Sequence, residues 1–279
     1  MIISSPCEVR ENMKLNIAIC VKAVPDPELY SSITLDPVTK TLKREGVNAV
    51  VNPADKHALE LAIKLKEQYG ANVTLISMGP PDAQKQLREA LSYGADAAVL
   101  LSDRKFGGAD SLATSYILSQ GLKKAGRFDL ILAGNESADG ATTHVPSQLG
   151  EWLGLPHVME VVECRMTEDS TAIVRKKADG KYYEFEVRLP AVIAVAKEIN
   201  KVRIPKIKDI FAAKKKPLDI YTAEDFEDLD FKYVGLKGSP TQNGELHEAS
   251  YGRQARQIDG SADEIAAEIL NVIGPMIDR

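Results

Sequence analysis

The chain is predicted to adopt an α/β fold: a mainly parallel, doubly wound sheet with an antiparallel extension and a C-terminal arm. Short continuous apolar runs alternate with longer amphipathic segments over residues 15–153. Gly70, Gly94, Gly126 and Gly154 each stand just beyond one of the amphipathic segments, and after Pro156 the spacing of apolar residues changes. Apolar runs without alternation suit strands covered on both faces, the condition of a parallel sheet with helices on either side. Glycine suits the left-handed residue that closes a helix.

The first strand is expected at residues 15–21, with residues 1–13 as an extension outside the fold. Residues 36–51 form an excursion, with a small hairpin over residues 35–42. Asn52 then suits a helix N-cap and Pro53 a first turn, which starts a helix over residues 54–69. Strands at 73–78, 97–101 and 130–133 alternate with helices at 82–92, 109–124 and 142–153. Beyond Pro156, residues 158–166, 171–175, 181–187 and 191–196 read as strands. The polar turns Glu168-Asp169-Ser170 and Lys177-Ala178-Asp179-Gly180 join them, giving an antiparallel extension. The α/β domain is thus expected over residues 14–200. Residues 201–251 carry the Lys214-Lys215-Lys216 run and an acidic stretch at 224–230 with little periodicity, so residues 201–279 are expected to be an extended arm that needs a partner surface. The arm ends in an amphipathic helix at residues 262–276.

With 279 residues, 44% hydrophobic and 27% charged, the chain can bury a sizeable core. A net charge of -5 gives no electrostatic reason to seek nucleic acid as a partner. No apolar run approaches the roughly 18 residues that span a bilayer, so no stable membrane insertion is expected. Three scattered cysteines, Cys7, Cys20 and Cys164, make neither a disulfide framework nor a zinc site, and point to a reducing cytoplasm.

Ligands of such sheets bind outside the carboxyl ends of the strands. The loops to read therefore start at Lys22-Ala23-Val24-Pro25-Asp26-Pro27, Ser77-Met78-Gly79-Pro80-Pro81, Ser102 and Gly134. In Arg104-Lys105-Phe106-Gly107-Gly108-Ala109-Asp110-Ser111 a glycine pair stands where a strand hands over to a helix. Backbone N–H groups there can approach an anion, and the helix dipole favours negative charge. The run Gly134-Asn135-Glu136-Ser137-Ala138-Asp139-Gly140-Ala141-Thr142-Thr143-His144-Val145 repeats that grammar. Gly134 would clear room for a ribose or ring, Thr142 and Thr143 would donate to phosphate, and His144 would stack or hydrogen-bond. A plain tight turn and an ordinary cap remain the alternative reading of both loops. Arg104 suits either a phosphate or the neighbouring Asp103, and Met78 and Cys20 read most simply as core.

No Gly-x-Ser-x-Gly elbow, Walker loop or His-Glu-x-x-His is present, so the side chains announce no reaction. Residues 106–111 are weakly similar to the Ser-Gly-Gly-x-Asp-Ser loop of ATP pyrophosphatases. Phe106 stands where that loop has Ser, and the loop follows the third strand here instead of the first. A nucleotide-binding sensor similar to universal stress proteins is a further alternative, but gives the arm no role.

Five stretches together resemble the β subunit of electron transfer flavoprotein, in order over about residues 14–245. They are Cys20-Val21-Lys22-Ala23-Val24-Pro25-Asp26, Asn52-Pro53-x-Asp55, Met78-Gly79-Pro80-Pro81, Gly134-x5-Gly140, and Pro190-Ala191-Val192 leading to Ala213-Lys214-Lys215-Lys216-Pro217. The resemblance implies an adenine-nucleotide α hydrolase-like sheet and a heterodimer with an α subunit that carries FAD. The β site then holds AMP in the housekeeping branch, or a second FAD reduced by NADH in the electron-bifurcating branch. Ser102-Asp103-Arg104-x-Phe106-x-Gly108-Ala109-Asp110 is similar to the bifurcating pattern, which favours FAD. Carried over, the contacts are Ala23, Asn52, Asp55, Met78, Arg104, Phe106, Gly108, Ala109, Asp110 and residues 134–145. A partner-recognition loop for an acyl-CoA or other flavin dehydrogenase falls at Ala196-Lys197-Glu198-Ile199-Asn200. Asn135 and Glu136 stand where the family usually has a cation and then Gln, and His144 where it has Gln. A carboxylate beside phosphates costs electrostatic stabilisation unless it points away. Flavin carries the difficult chemistry itself, in keeping with the missing catalytic motifs.

Overall fold

The computed structural model describes residues 15–32, 34–35, 42–43, 48–167, 171–241, 244 and 257–277. Residues 1–14, the tip of the expected hairpin at 36–41, the turn at 168–170 and residues 245–256 of the expected arm lie outside the described residues.

From Asn16 the chain forms β1 (Asn16–Cys20), the short strand β2 (Ala23–Pro25), the hairpin of β3 (Thr34–Leu35) with β4 (Leu42–Lys43), and β5 (Ala49–Val51), which pairs with β2. Helices and strands then alternate: α1 (Pro53–Tyr69), β6 (Asn72–Met78), α2 (Gln84–Leu91), β7 (Ala97–Leu101), α3 (Ser111–Ala125), β8 (Leu130–Gly134) and α4 (Val145–Leu153). The extension comprises β9 (His157–Met166), β10 (Thr171–Ala178) and β11 (Lys181–Arg188), followed by β12 (Ala191–Val195), α5 (Ile207–Ala213), β13 (Leu218–Tyr221) and α6 (Ala262–Ile277).

One nine-stranded sheet runs in the order β11-β10-β9-β12-β8-β1-β6-β7-β13. Every pairing from β9 to β13 in that order is parallel, and β10 and β11 add the antiparallel edge. Alternate residues of β1 serve opposite faces. Ile17 and Ile19 are fully buried against α1 and α2, while Ala18 and Cys20 face α3 and α4. Each large apolar side chain so covered contributes about 1.5–3 kcal/mol. The chain leaves β1 for β6 and β7 on one side and for β8 and β12 on the other. A crevice therefore opens at the carboxyl end of β1 and β8, where the winding reverses.

The expected alternation of elements is present, and four details differ. Helix α4 begins at Val145 and not at Thr142, because Ala141 (φ 46°) and Thr143 (φ 57°) take left-handed conformations that a helix cannot contain. Pro81 to Ala83 form a tight 3-10 turn, so α2 is confined to Gln84–Leu91. Strand β12 belongs to the parallel sheet, inserted between β8 and β9, while the antiparallel pairings are those of β9, β10 and β11. The fourth concerns the arm. The sheet does not stop at residue 200, since Leu218–Tyr221 pairs in parallel with residues 98–101 of β7. Residues 222–241 then fold back over α3, where Tyr116, Trp152 and Tyr233 cluster with ring centroids 4.9–5.3 Å apart. Two parts of the arm still fit the picture of an element awaiting a surface: residues 204–211, with Ile204, Ile207, Ile210 and Phe211 exposed, and α6, with Ile269, Leu270, Val272 and Ile273 exposed. Among the described residues no helix is long and apolar enough to cross a membrane.

Candidate functional site

The loops at the carboxyl ends of β1, β6, β7 and β8 converge on one cavity of about 980 Å³. Its wall is assembled around the first turn of α1. Pro53 occupies the first turn, where its missing N–H costs nothing, and Asn52 stands at the N-cap position. The Asn52 side chain does not cap the helix as the sequence suggests. Its Nδ2 donates to the Glu136 carbonyl (2.8 Å) and its Oδ1 accepts the Ala138 N–H (3.1 Å), which latches the 134–145 loop to α1.

Asp55 completes this joint. Its Oδ2 accepts the Lys22 N–H (2.8 Å) and its Oδ1 the Gly134 N–H (3.1 Å), so one buried carboxylate ties the ends of β1 and β8 together. Burial pushes its pKa up to about 7, against the lowering influence of those two N–H bonds. Gly134 is required by the same joint. A Cβ there would lie 2.5 Å from Asp55 Oδ1 and 2.6 Å from Ala54, so the absent side chain makes room for α1, and Gly134 also lines the cavity.

The cation missing from the 134–145 loop comes from the connection between β1 and β2. Lys22 Nζ sits 2.7 Å from Asp139 Oδ1 and 3.3 Å from Ser137 Oγ at the rim. Burial raises the Asp139 carboxyl, yet the hydrogen bonds from Lys22 and Ser137 outweigh it and leave it below the ordinary value. Lys22 was not among the expected contacts, because its place depends on a loop more than a hundred residues downstream. Ala23 was, and does not line the cavity. The chain turns into β2 after Lys22 and Ala23 packs on the α1 side, so Cys20, Val21 and Lys22 make the wall.

The opposite wall is the 102–111 loop. Phe106 is buried (3% exposed) and borders the cavity with Gly108, Ala109 and Asp110. Asp110 is occupied structurally: Oδ1 accepts the Ala113 N–H (3.0 Å) at the start of α3, and Oδ2 the Thr241 N–H (3.0 Å). Asp103 accepts the N–H groups of Lys105 (2.8 Å) and Ala223 (2.9 Å), and the first of these leads in holding its carboxyl below the ordinary value. Asp103 is thus committed to backbone, and Arg104, exposed at the cavity wall, makes no ion pair among the described residues.

The returning C-terminal segment braces this loop. Leu236 N–H donates to the Gly107 carbonyl (3.0 Å) and Ser239 Oγ accepts the Asp110 N–H (2.8 Å). Gly108 takes φ +73°, and a Cβ there would lie 3.0 Å from Leu236 Cβ. Gly108→Val is therefore expected to deform the loop and lower bound cofactor by at least about tenfold, through left-handed strain and the clash with Leu236. Wild-type cofactor content in the purified variant would show that the loop tolerates the change.

Of the remaining expected contacts, Met78, Asn135, Glu136, Ser137, Gly140, Thr142, Thr143 and Val145 line the cavity, while Ala138, Asp139, Ala141 and His144 do not. His144 is exposed and its carbonyl accepts the Gln148 N–H (3.0 Å) at the start of α4. Gly79, Pro80 and Pro81, in a loop that the sequence marks as ligand-facing, also line the cavity, and so does Thr222, which was missed because it comes from the expected arm. The stretch 196–200 lies at the same carboxyl end of the sheet. Lys197 and Glu198 are exposed, but Asn200 is fastened to α1, its Nδ2 donating to the His57 carbonyl (2.9 Å). The strongly exposed apolar residues come just after it: Ile204 (91%), Ile207 (75%), Ile210 (47%) and Phe211 (62%). Among the described residues no cluster could hold a metal ion.

A crevice at the switch point of a doubly wound sheet, rimmed by helix starts and cations, places the chain in the class of doubly wound α/β proteins with a ligand-site geometry at the carboxyl ends of the strands. Comparison with known proteins narrows the class. Residues 39–226 match the family model "Electron transfer flavoprotein domain". The chain is 43% identical over 257 residues to the electron transfer flavoprotein subunit beta of Clostridium acetobutylicum, covering 92% of this chain and 97% of that one. It is 45% identical over 229 residues to the corresponding subunit of Thermoanaerobacterium thermosaccharolyticum, covering 82% and 86%. The caffeyl-CoA reductase-Etf complex subunit CarD of Acetobacterium woodii is 42% identical over 229 residues, again covering 82% and 86%. The chain belongs to the electron transfer flavoprotein family, among its β subunits.

Proposed function

We propose that the chain is the β subunit of a heterodimeric electron transfer flavoprotein of the electron-bifurcating type, holding FAD in the cavity and drawing electrons from NADH. The observation that carries this reading is the extent of the cavity. At about 980 Å³ it reaches from the Asn52 latch and the 134–145 loop across to the 102–111 loop and Thr222. That volume is at the upper end for ligand sites, roughly 300–1,000 Å³, and larger than an adenylate alone requires. The similarity to a subunit whose name places it in a caffeyl-CoA reductase-Etf complex supports the same reading.

Bound there, the flavin would supply the one- and two-electron chemistry, and the protein would supply position and field. Lys22 is placed to exchange Asp139 for a phosphate oxygen, and Arg104 offers a second cation on the facing wall. The starts of α3 and α4 each add about 0.3–1 kcal/mol for an anion, so several such contributions must converge. Phe106 and Met78 border the cavity and would offer a bound ring an apolar wall. The apolar stripe of α6 suits the α subunit, and the exposed residues 204–211, set among Lys201, Lys206 and Lys208, suit an acidic flavin dehydrogenase. Such a carrier would work in a reducing cytoplasm.

The test is to purify the chain with its α partner, release the ligands by denaturation, identify them by mass spectrometry, and titrate the intact protein anaerobically with NADH. Two FAD per heterodimer and direct bleaching by NADH are expected. One FAD with one AMP, and a spectrum unmoved by excess NADH, would overturn the bifurcating assignment and leave the housekeeping form.

A further inference from the structure

We infer that Arg203 is a positioning residue, clamped to α1 so that the docking segment beginning at Ile204 stands in a fixed place relative to the cofactor cavity. The inference deepens the proposed function, since it rests on the reading of residues 204–211 as the dehydrogenase-docking element. Glu60, on α1, is 3% exposed and grips Arg203 three times. Its Oε2 accepts the Arg203 main-chain N–H (3.2 Å) and Nε (2.8 Å), and its Oε1 accepts Nη2 (3.1 Å). Glu67, two turns further along the helix, takes Nη1 (2.5 Å) and Nη2 (3.0 Å). One guanidinium thus fills two carboxylates in a planar fork that Lys cannot reproduce.

The grip includes backbone as well as side chain, and it falls on the residue before the most exposed apolar side chain in the segment. Ile204 is followed by Pro205, which restricts it to extended conformations. Three residues upstream, Asn200 is bonded to His57 on the same helix, through its Nδ2 to the His57 carbonyl (2.9 Å) and its Oδ1 to His57 Nδ1 (3.0 Å). Both ends of the 200–203 stretch are therefore fixed to α1, while the first turn of that helix holds the ends of β1 and β8 through Asp55. The docking residues are organised before the partner arrives, which reduces the ordering cost of association.

The experiment uses the intact α/β heterodimer with an acyl-CoA dehydrogenase as electron acceptor, and compares Arg203→Lys, Glu60→Gln and Ile204→Ser. Arg203→Lys keeps the charge and loses the fork. It is expected to raise the KM for the dehydrogenase about fivefold to tenfold, with the rate at saturation, the cofactor content and the rate of NADH bleaching within about twofold of wild type. Glu60→Gln is expected to do the same. If Ile204→Ser raises KM while Arg203→Lys and Glu60→Gln leave it unchanged, the clamp is overturned and the docking element stands. If Ile204→Ser also leaves KM unchanged, the docking reading falls and the clamp with it. Should Glu60→Gln lose cofactor or fail to assemble, Arg203→Lys decides the matter, and a fall in its saturated rate or cofactor content in place of the KM effect counts against positioning.

Discussion

Asp55→Ala is expected to destabilise the protein by about 2–6 kcal/mol and to release the bound cofactor. The substitution leaves the N–H groups of Lys22 and Gly134 without their acceptor at a buried joint, at about 1–3 kcal/mol for each. It also frees the ends of β1 and β8 to separate, and with them the cavity floor. Denaturant titration and cofactor content of the purified variant check the expectation; wild-type values would mean that the joint is dispensable.

The same residue sets a pH dependence. In the folded chain burial raises the Asp55 pKa to about 7, from an ordinary 3.8. Between those values the folded state holds a proton that the unfolded state has lost, so this contribution is fully present below the ordinary value and declines as pH rises through about 7. Asp55→Asn cannot titrate. Its melting temperature relative to wild type should therefore rise as pH is taken from about 5 to about 8, and a constant difference would show that Asp55 does not carry the effect.

Gly134→Val is expected to destabilise the protein at the same joint by overpacking. Its Cβ would lie 2.5 Å from Asp55 Oδ1 and 2.6 Å from both the Ala54 carbonyl carbon and the Ala54 Cβ. These atoms belong to the first turn of α1, which cannot yield as the end of a long side chain can. Overpacking of this kind costs about 1–3 kcal/mol or more, and here the displaced helix also carries the Asn52 latch. A variant that melts and binds cofactor like wild type would contradict the close approach of β8 to α1.

The central strands were legible because they are covered on both faces, so Ile17, Ile19 and Leu132 appear in short unbroken apolar runs. Their pairing was less so. β12 looks in sequence like one more member of the extension, and only its long-range parallel pairing with β8 puts it inside the sheet. β13 was hidden for another reason: it is an edge strand, and in Leu-Asp-Ile-Tyr the Asp and Ile side chains face solvent. At the site, the loops were readable from glycine and small polar residues, whereas the direction of single side chains was not. Asn52 has the residue type of a cap and serves as a latch. Thr142 and Thr143 have the composition of a helix start, but the left-handed backbone at Ala141 and Thr143 delays it to Val145. Lys22 gained its place from Ser137 and Asp139, neighbours that no local pattern reveals.

The brace on the 102–111 loop has a consequence for the order of biogenesis. A nascent chain that has emerged as far as β12 already contains every helix of the sheet's two covering layers, yet it lacks Ala223, Leu236, Ser239 and Thr241, whose backbone or hydroxyl groups fix Asp103, Gly107 and Asp110. One side of the crevice stays unshaped until residues 223–241 have left the ribosome. Completion of the crevice thus belongs after translation of that segment, and a fragment ending before β13 should fold its central strands without forming that wall.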